Sequence, residues 1–264
     1  MVTSAGGRGR PLRRTTYRPA RARRRLSADP SSHRLAPEQN HESMLVAVAG
    51  MVGTGKTTLT QALAAYFGLA VALESVDEEN PWLPLYYGEA DGMRRYALPL
   101  QLHFLATRME SLRRMRAEEG DWLLDRTWYE DAEVFARGLF EQGFLSPLEW
   151  ALYRRLFTEL SHLPAARPPR LLIYLSAPVD LVVERIRGRG RASEREVEPA
   201  YWSALHERYT RWIGGFRVCP VLTLDVRNYD LLSDPTAITR IARRVEEKLG
   251  RRLDTAGVQY NLLA

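Results

Sequence analysis

The residues with the strongest claim to chemistry are eight in a row, Gly50-Met51-Val52-Gly53-Thr54-Gly55-Lys56-Thr57. Glycines at this spacing let successive backbone N–H groups turn inward around an anion. Lys56 then reaches the outer phosphates of a triphosphate, and the Thr57 hydroxyl is placed to bind Mg²⁺. The lysine is informative in itself. Only Lys56 and Lys248 are lysine among 38 basic residues, and the loop needs a compact ammonium where a guanidinium would be too broad. An apolar run, Leu45–Ala49, precedes the loop and a helical pattern, Leu59–Leu69, follows it. Strand, glycine-rich loop and helix in that order set the positive helix end against the anion. A glycine-rich turn that binds nothing is the plain alternative, and both flanks argue against it.

Two carboxylates stand in comparable places. Asp125 ends the short apolar run Trp122–Asp125, the arrangement that holds Mg²⁺ through its waters beside such a loop. Arg126, next to it, is placed to clamp a phosphate or to orient Glu74. Glu74 ends the run Ala70–Glu74 and selects the reaction class. A free carboxylate opposite the γ-phosphate repels an acceptor that already carries a phosphate. It suits a neutral hydroxyl that must lose a proton. Further on, Arg185, Arg187, Arg189 and Arg191 crowd one helix end around Gly188 and Gly190. Arg185 and Arg189 share a helix face. A solvated basic helix end is the bland reading; a mobile lid closing over a triphosphate is the one preferred here.

These residues need a scaffold, and the pattern supplies one. Leu45–Ala49, Ala70–Glu74, Trp122–Asp125, Leu171–Ser176 and Val221–Val226 read as buried parallel strands with helical patterns between them. The expected fold is α/β: a P-loop NTPase-type doubly wound sheet of five parallel strands flanked by helices, with an Arg-rich lid. In such sheets ligands sit beyond the carboxyl ends of the strands, where the loop, Glu74 and Asp125 all fall. Ser146-Pro147-Leu148-Glu149 marks a helix start with a capping box, and Asp234-Pro235 reads as a second such start. Pro178 opens the helix that carries Val182, Val183 and Ile186.

Composition bounds the rest. The chain has 264 residues, 45% of them apolar, and no apolar stretch long enough to span a membrane. The single cysteine, Cys219, excludes an internal disulfide and fits a reducing cytosol. His103, His162 and His206 read as ordinary helix residues. Residues 1–43 hold ten arginines against Asp29, Glu38 and Glu42, so this leader carries +7 of a net +6 and the remainder is close to −1. The domain is therefore not a basic nucleic-acid surface. The leader, rich in Arg, Ser, Pro and Gly, reads as disordered. It has the composition of a transit peptide or a nucleic-acid arm. The preferred reading is an over-extended start, because Met44 sits one residue before the first strand. The expected organisation is a leader at 1–43, one catalytic domain at 44–250 and a tail at 251–264.

Taken together, the motifs resemble the deoxynucleoside kinase family, most closely its bacterial purine members. The match runs from about Leu45 to Tyr229. It includes the P-loop, Glu74 with Asn80-Pro81-Trp82-Leu83 and Tyr86-Tyr87, Gln101 with Arg108, Asp125-Arg126-Thr127-Trp128-Tyr129-Glu130-Asp131, Arg185-Ile186 and Arg189-Gly190-Arg191. The resemblance implies that Glu74 is the general base on a 5′-hydroxyl, with Arg126 beside it. It implies that Tyr87 and Glu194 hold the 3′-hydroxyl, that Gln101 reads the base and that Phe135 stacks on it. Arg108 and Asp131 resemble the pair that admits purines and cytosine. Asp225–Tyr229 resembles the loop around the donor adenine. A homodimer through a helix pair is also implied, and apolar faces at 91–117 and 147–162 allow it.

The residues agree where they speak. Gln101 and Arg108 lie two turns apart on one helix face, about 10.5 Å in rise, so both side chains converge on one planar ligand. An amide offers the donor and acceptor that a base edge demands. For Tyr87 and Phe135, core packing remains a competing explanation. Glu74 is followed by Ser75-Val76-Asp77-Glu78-Glu79, where some members have Glu-Pro-Val and an aromatic; Trp82 is a candidate for that wall of the pocket. Pro99 either starts the helix carrying Gln101 or kinks it.

The expectation is a cytosolic enzyme that moves the γ-phosphate of ATP–Mg²⁺ to the 5′-hydroxyl of deoxyadenosine or deoxyguanosine, with no membrane or nucleic-acid partner. A deoxycytidine or broad-specificity deoxynucleoside kinase is the alternative. A nucleoside monophosphate kinase would need cationic groups where Glu74 stands. A nucleotide-binding regulator using the basic leader would bind without turnover and lose binding when residues 1–43 are removed.

Overall fold

The computed structural model describes residues 43–73, 80–118, 120–190, 197 and 199–253. Five strands form a sheet in the order β2-β3-β1-β4-β5. They are β1 (Leu45–Gly50), β2 (Ala70–Ala72), β3 (Trp122–Asp125), β4 (Leu171–Ser176) and β5 (Val221–Asp225). Every pairing is parallel: Val48 lies opposite Asp125 on one side of β1 and opposite Ile173 on the other. All six residues of β1 and all four of β3 are buried. That is why these strands read as continuous apolar runs and not as alternations. β1 extends one residue past the expected end, β5 stops one residue short, and β2 stops at Ala72. Glu74 lies outside the described residues.

The crossover helices cover both faces. They are α1 (Lys56–Phe67), α2 (Trp82–Gly88), α3 (Gly92–Ala117), the single turn α4 (Trp128–Glu130), α5 (Arg137–Glu141) and α6 (Pro147–Ser161). After β4 come α7 (Val179–Arg189) and α8 (Pro199–Gly215), and after β5 comes α9 (Ala237–Leu249). Between α4 and α5, Asp131–Ala136 form a π-helical stretch. Such wide turns are uncommon and recur at functional sites, because they re-aim side chains. Chain leaving β1 crosses toward β2, whereas chain leaving β3 crosses toward β4. The connections thus leave these two paired strands in opposite directions along the sheet, the reversal at which ligands sit in such folds.

Three local expectations meet the structure differently. Ser146 caps α6 as a reciprocal box: its hydroxyl accepts from the Glu149 amide at 3.3 Å, and Glu149 accepts from the Ser146 amide at 2.7 Å. The Asp234-Pro235 start is corrected. α9 begins at Ala237, because the Asp234 carboxylate closes a turn onto the Thr236 amide at 2.8 Å first. α3 begins seven residues before Pro99 and runs through it. The ring removes one N–H from the ladder, and packing on both sides of it holds the helix together. Ala97, Leu100, Tyr86, Leu139 and Leu145 form a small apolar cluster of their own, apart from the main core around the sheet. Among the described residues, no helix is long and apolar enough to cross a membrane.

Candidate active site

The loop after β1 forms the anion cradle by backbone geometry. Gly50 has φ +145, and a Cβ there would stand 2.8 Å from the Leu175 carbonyl oxygen. Gly53 has φ +80 and lies so close to α7 that a Cβ would meet Ile186 Cγ1 at 3.1 Å. Conformation favours glycine at both positions, and at Gly50 the Leu175 carbonyl leaves no room for a Cβ as well. The Met51 carbonyl ties the loop together, accepting from the Thr54 hydroxyl at 2.8 Å and from Lys56 Nζ at 3.1 Å. Gly55 is the N-cap of α1, and no side chain covers that helix end. Its orphan amides are left for an anion.

Beside the cradle, β3 delivers Asp125 and Arg126. The Thr57 hydroxyl donates to Asp125 Oδ2 at 2.5 Å, while Oδ1 is buried with no hydrogen-bond partner. Arg126 adopts φ +70, a left-handed backbone that a non-glycine residue seldom takes. This turn swings its guanidinium over the Phe135 ring, 4.8 Å from the centroid. From there Nη1 donates to the Tyr209 hydroxyl at 2.6 Å.

One cavity runs from Lys56, Thr57, Arg126 and Arg189 to Gln101, Asp131 and Phe135, with Tyr86, Tyr87 and Val52 in its walls. Arg108 and Asp131 form a buried pair at the end of it away from the loop: Arg108 Nε donates to Asp131 Oδ2 at 2.9 Å, and side-chain exposures are 5% and 2%. Gln101 is buried, and its amide oxygen has no hydrogen-bond partner although it lines the cavity. A buried acceptor without a partner costs free energy unless a ligand supplies the donor. Tyr87 shares a hydrogen bond with Tyr201 of α8. A second cleft lies on the far side of the loop, where Thr54, Gly55 and Arg185 face Val226, Arg227 and Tyr229. Of the three arginines of α7, Arg185 lines this cleft and Arg189 lines the cavity.

Asp225 does not line that cleft. Its carboxylate is held by Arg227 Nη2 at 2.6 Å and by the Arg227 amide at 3.0 Å. The Arg227 hydrogen bonds hold Asp225 well below the usual range, at about 2. Trp82, the sequence candidate for a pocket wall, packs beside Tyr96 with ring centroids 6.2 Å apart, and α2 turns Leu83 and Tyr86 to the cavity instead. Glu74, Arg191 and Glu194 lie outside the described residues.

Sequence reasoning missed what α8 contributes. Tyr201, Trp202 and Leu205 line the cavity and Tyr209 reaches Arg126, yet nothing in their spacing separates them from a core stripe. Glu130 was visible only as part of a motif. It is fully buried and completes a capping box with Thr127, a pattern that Thr127-x-x-Glu130 does carry. Burial pushes its carboxyl above the usual range; Arg126, Lys56 and the Thr127 amide pull the other way.

The deoxynucleoside kinase family profile matches residues 46–250. The deoxyadenosine/deoxycytidine kinase of Bacillus subtilis is 36% identical over 204 residues, covering 77% of this chain and 92% of that protein. The deoxyguanosine kinase of Lactobacillus johnsonii is 30% identical over 213 residues, covering 78% and 92%. This chain belongs to the deoxynucleoside kinase family. Its fold agrees with the solved deoxyadenosine kinase from M. mycoides, TM-score 0.64 at 22% identity, over 77% of this chain and 99% of that one. As a deoxynucleoside kinase it transfers phosphate to a nucleoside. The cavity that joins a phosphate cradle to a buried polar pair is the geometry such a transfer requires.

Proposed function

We propose that this kinase moves the γ-phosphate of ATP to the 5′-hydroxyl of a purine deoxynucleoside, deoxyadenosine or deoxyguanosine, with the base at the Gln101–Arg108–Asp131 end of the cavity. The observation that carries this reading is the unpartnered amide oxygen of Gln101 beside the buried Arg108–Asp131 pair. A neutral planar ligand with donors and acceptors on its edge satisfies those atoms, and an apolar one does not. The relatives' names, deoxyadenosine/deoxycytidine kinase and deoxyguanosine kinase, both include a purine deoxynucleoside and support this choice of acceptor.

The roles follow from place. Backbone amides of Gly50 to Gly55 and the Lys56 ammonium hold the donor phosphates; Arg185, Arg189 and Arg191 neutralise the charge that the loose transition state spreads over the transferred group. Arg126 holds the acceptor end of that group. Thr57 and Asp125 suit Mg²⁺, which usually takes one or two protein oxygens and completes its shell with phosphates and water. The unpartnered Asp125 Oδ1 fits that donor set. Bound there, the ion supplies charge neutralisation at the phosphates. Glu74 accepts the 5′-hydroxyl proton, Tyr87 and Glu194 hold the 3′-hydroxyl, and Phe135 stacks on the base. Asp225 lies on the donor side, where it steadies Arg227 through an exposed pair of small effect. Residues 44–250 make up the kinase domain, working in the cytosol, with 1–43 a leader and 251–264 a tail. Two copies pair through α3 and α6, where Leu148, Leu152 and Leu156 recur every four residues and are exposed.

A panel assay with the full chain and Mg-ATP tests the function. Deoxyadenosine or deoxyguanosine is expected to show the highest kcat/KM. Preference for dAMP or dTMP would replace this reading with a monophosphate kinase. Within the panel, Glu74→Gln is expected to lower kcat by about 10²–10³-fold with nucleoside affinity nearly unchanged. An unaffected kcat would remove Glu74 from the chemistry.

A further inference from the structure

We propose that Glu130 and Tyr209 are positioning residues that lock the Arg126 guanidinium and tie it, through one shared oxygen, to the first residue of the phosphate loop. The inference rests on the reading that Arg126 serves phosphoryl transfer. Glu130 Oε1 accepts from the Gly50 amide at 3.3 Å, from Arg126 Nη1 at 3.4 Å and from the Tyr209 hydroxyl at 2.9 Å. Its Oε2 accepts from the Thr127 amide at 3.0 Å. Proton directions are fixed by chemistry. A guanidinium only donates, so the Tyr209 oxygen accepts from Arg126 and its own proton goes to Glu130. Every one of these partners donates to the carboxylate, so it serves as an acceptor at four bonds.

The assembly joins three separate parts of the chain. Gly50 closes β1, Arg126 follows β3, and Tyr209 belongs to α8, whose Trp202 and Leu205 face the acceptor cavity on the same side of the helix. Placement of α8 against the acceptor thus reaches Arg126 through one phenol. The left-handed backbone of Arg126 is strained for a non-glycine residue, and such strain persists where surrounding bonds over-determine it. Glu130 and Tyr209 supply those bonds from inside a buried site, where partner loss is felt most. Neither residue has a place in the chemistry itself; each acts through Arg126.

The test compares the full-length protein with Tyr209→Phe, Glu130→Gln and the double variant. Each single change is expected to lower kcat about 10–100-fold while KM for ATP moves less than about threefold, since a misplacement of about 1 Å costs on this order. The double variant is expected within about threefold of the worse single one, because the pair acts as a unit. Tyr209→Phe, which keeps the ring packing, is also expected to change hydrogen exchange at the Gly50 amide at least about threefold, although the two lie on different elements. Singles within twofold of the parent, losses that multiply, or a Gly50 amide that does not respond would each overturn the proposal. A fall in activity matched by a fall in Tm, with KM for ATP rising in step, would show that the pair only holds the fold and would overturn it too. A parent protein that phosphorylates no deoxynucleoside would sink the proposed function; the Gly50 exchange readout then still decides the coupling. Should Glu130→Gln fail to fold, Tyr209→Phe decides alone.

Discussion

The glycine-rich loop and the cavity beside it meet at Lys56 and are built in opposite ways. The cradle comes from one stretch of eight residues and works through backbone amides, with glycine used where a side chain would collide. The cavity is lined from α2, α3, the π-helical stretch and α8 by side chains, among them the buried Gln101 and the Asp131 that pairs with Arg108. A site made of backbone tolerates change in its surroundings and almost none in its own residues. A site made of side chains inherits the packing of every element that contributes to it, so its selectivity is adjustable and its tolerance is spread unevenly.

Breaking the cradle gives the largest expected effect. Lys56→Ala is expected to lower kcat by about 10³-fold or more at unchanged Tm, because it removes charge where the transition state is stabilised. Steady-state kinetics with a thermal melt check it; a loss below tenfold would show that the cradle does not rely on this ammonium. Breaking the cavity is expected to cost less and to discriminate. Arg108→Ala leaves Asp131 buried without that guanidinium, so stability falls by about 3–5 kcal/mol. Below the new Tm, kcat/KM for purine deoxynucleosides is expected to drop about 10–100-fold more than for thymidine. Equal losses across the bases would make the pair structural only.

The smallest effect sharpens the contrast. Arg227–Asp225 has the same chemistry as Arg108–Asp131, but its side chains are 62% and 32% exposed. Asp225 has its pKa depressed from 3.8 to about 2. The lowering favours the ionised form, so the pair is intact above about pH 4 and is lost as pH falls toward 2. Asp225→Ala is therefore expected to leave Tm at pH 7 within about 1–2 °C and kcat/KM within about twofold, since exposed pairs contribute little. A larger loss confined to KM for ATP would place Asp225 itself at the donor.

Legibility followed the same division. β3 and β4 match the expected bounds residue for residue, since strands buried on both faces must be apolar throughout. The α6 capping box was equally plain, because its partners are three residues apart. Asp234-Pro235 misled for a related reason: the same residue type that caps a helix also closes a turn, and local chemistry does not choose between them. Gln101 and Arg108 were named through the resemblance, and helix spacing added only that they share one face. That Asp131 would reach Arg108 from a π-helical turn rested on resemblance alone, since no spacing rule announces that turn.

The sequence by itself determined the cradle and the strands of the parallel sheet, because each rests on residues close together in the chain whose types are dictated by backbone geometry or burial. The family was legible through the resemblance of motifs spread along the chain. Only the tertiary structure decided that α8 walls the cavity beside the loop and that Tyr209 reaches Arg126 beside a fully buried Glu130. Those contacts join residues about eighty positions apart. Their side chains look like ordinary core residues until packing brings them together and removes the water that would otherwise satisfy them.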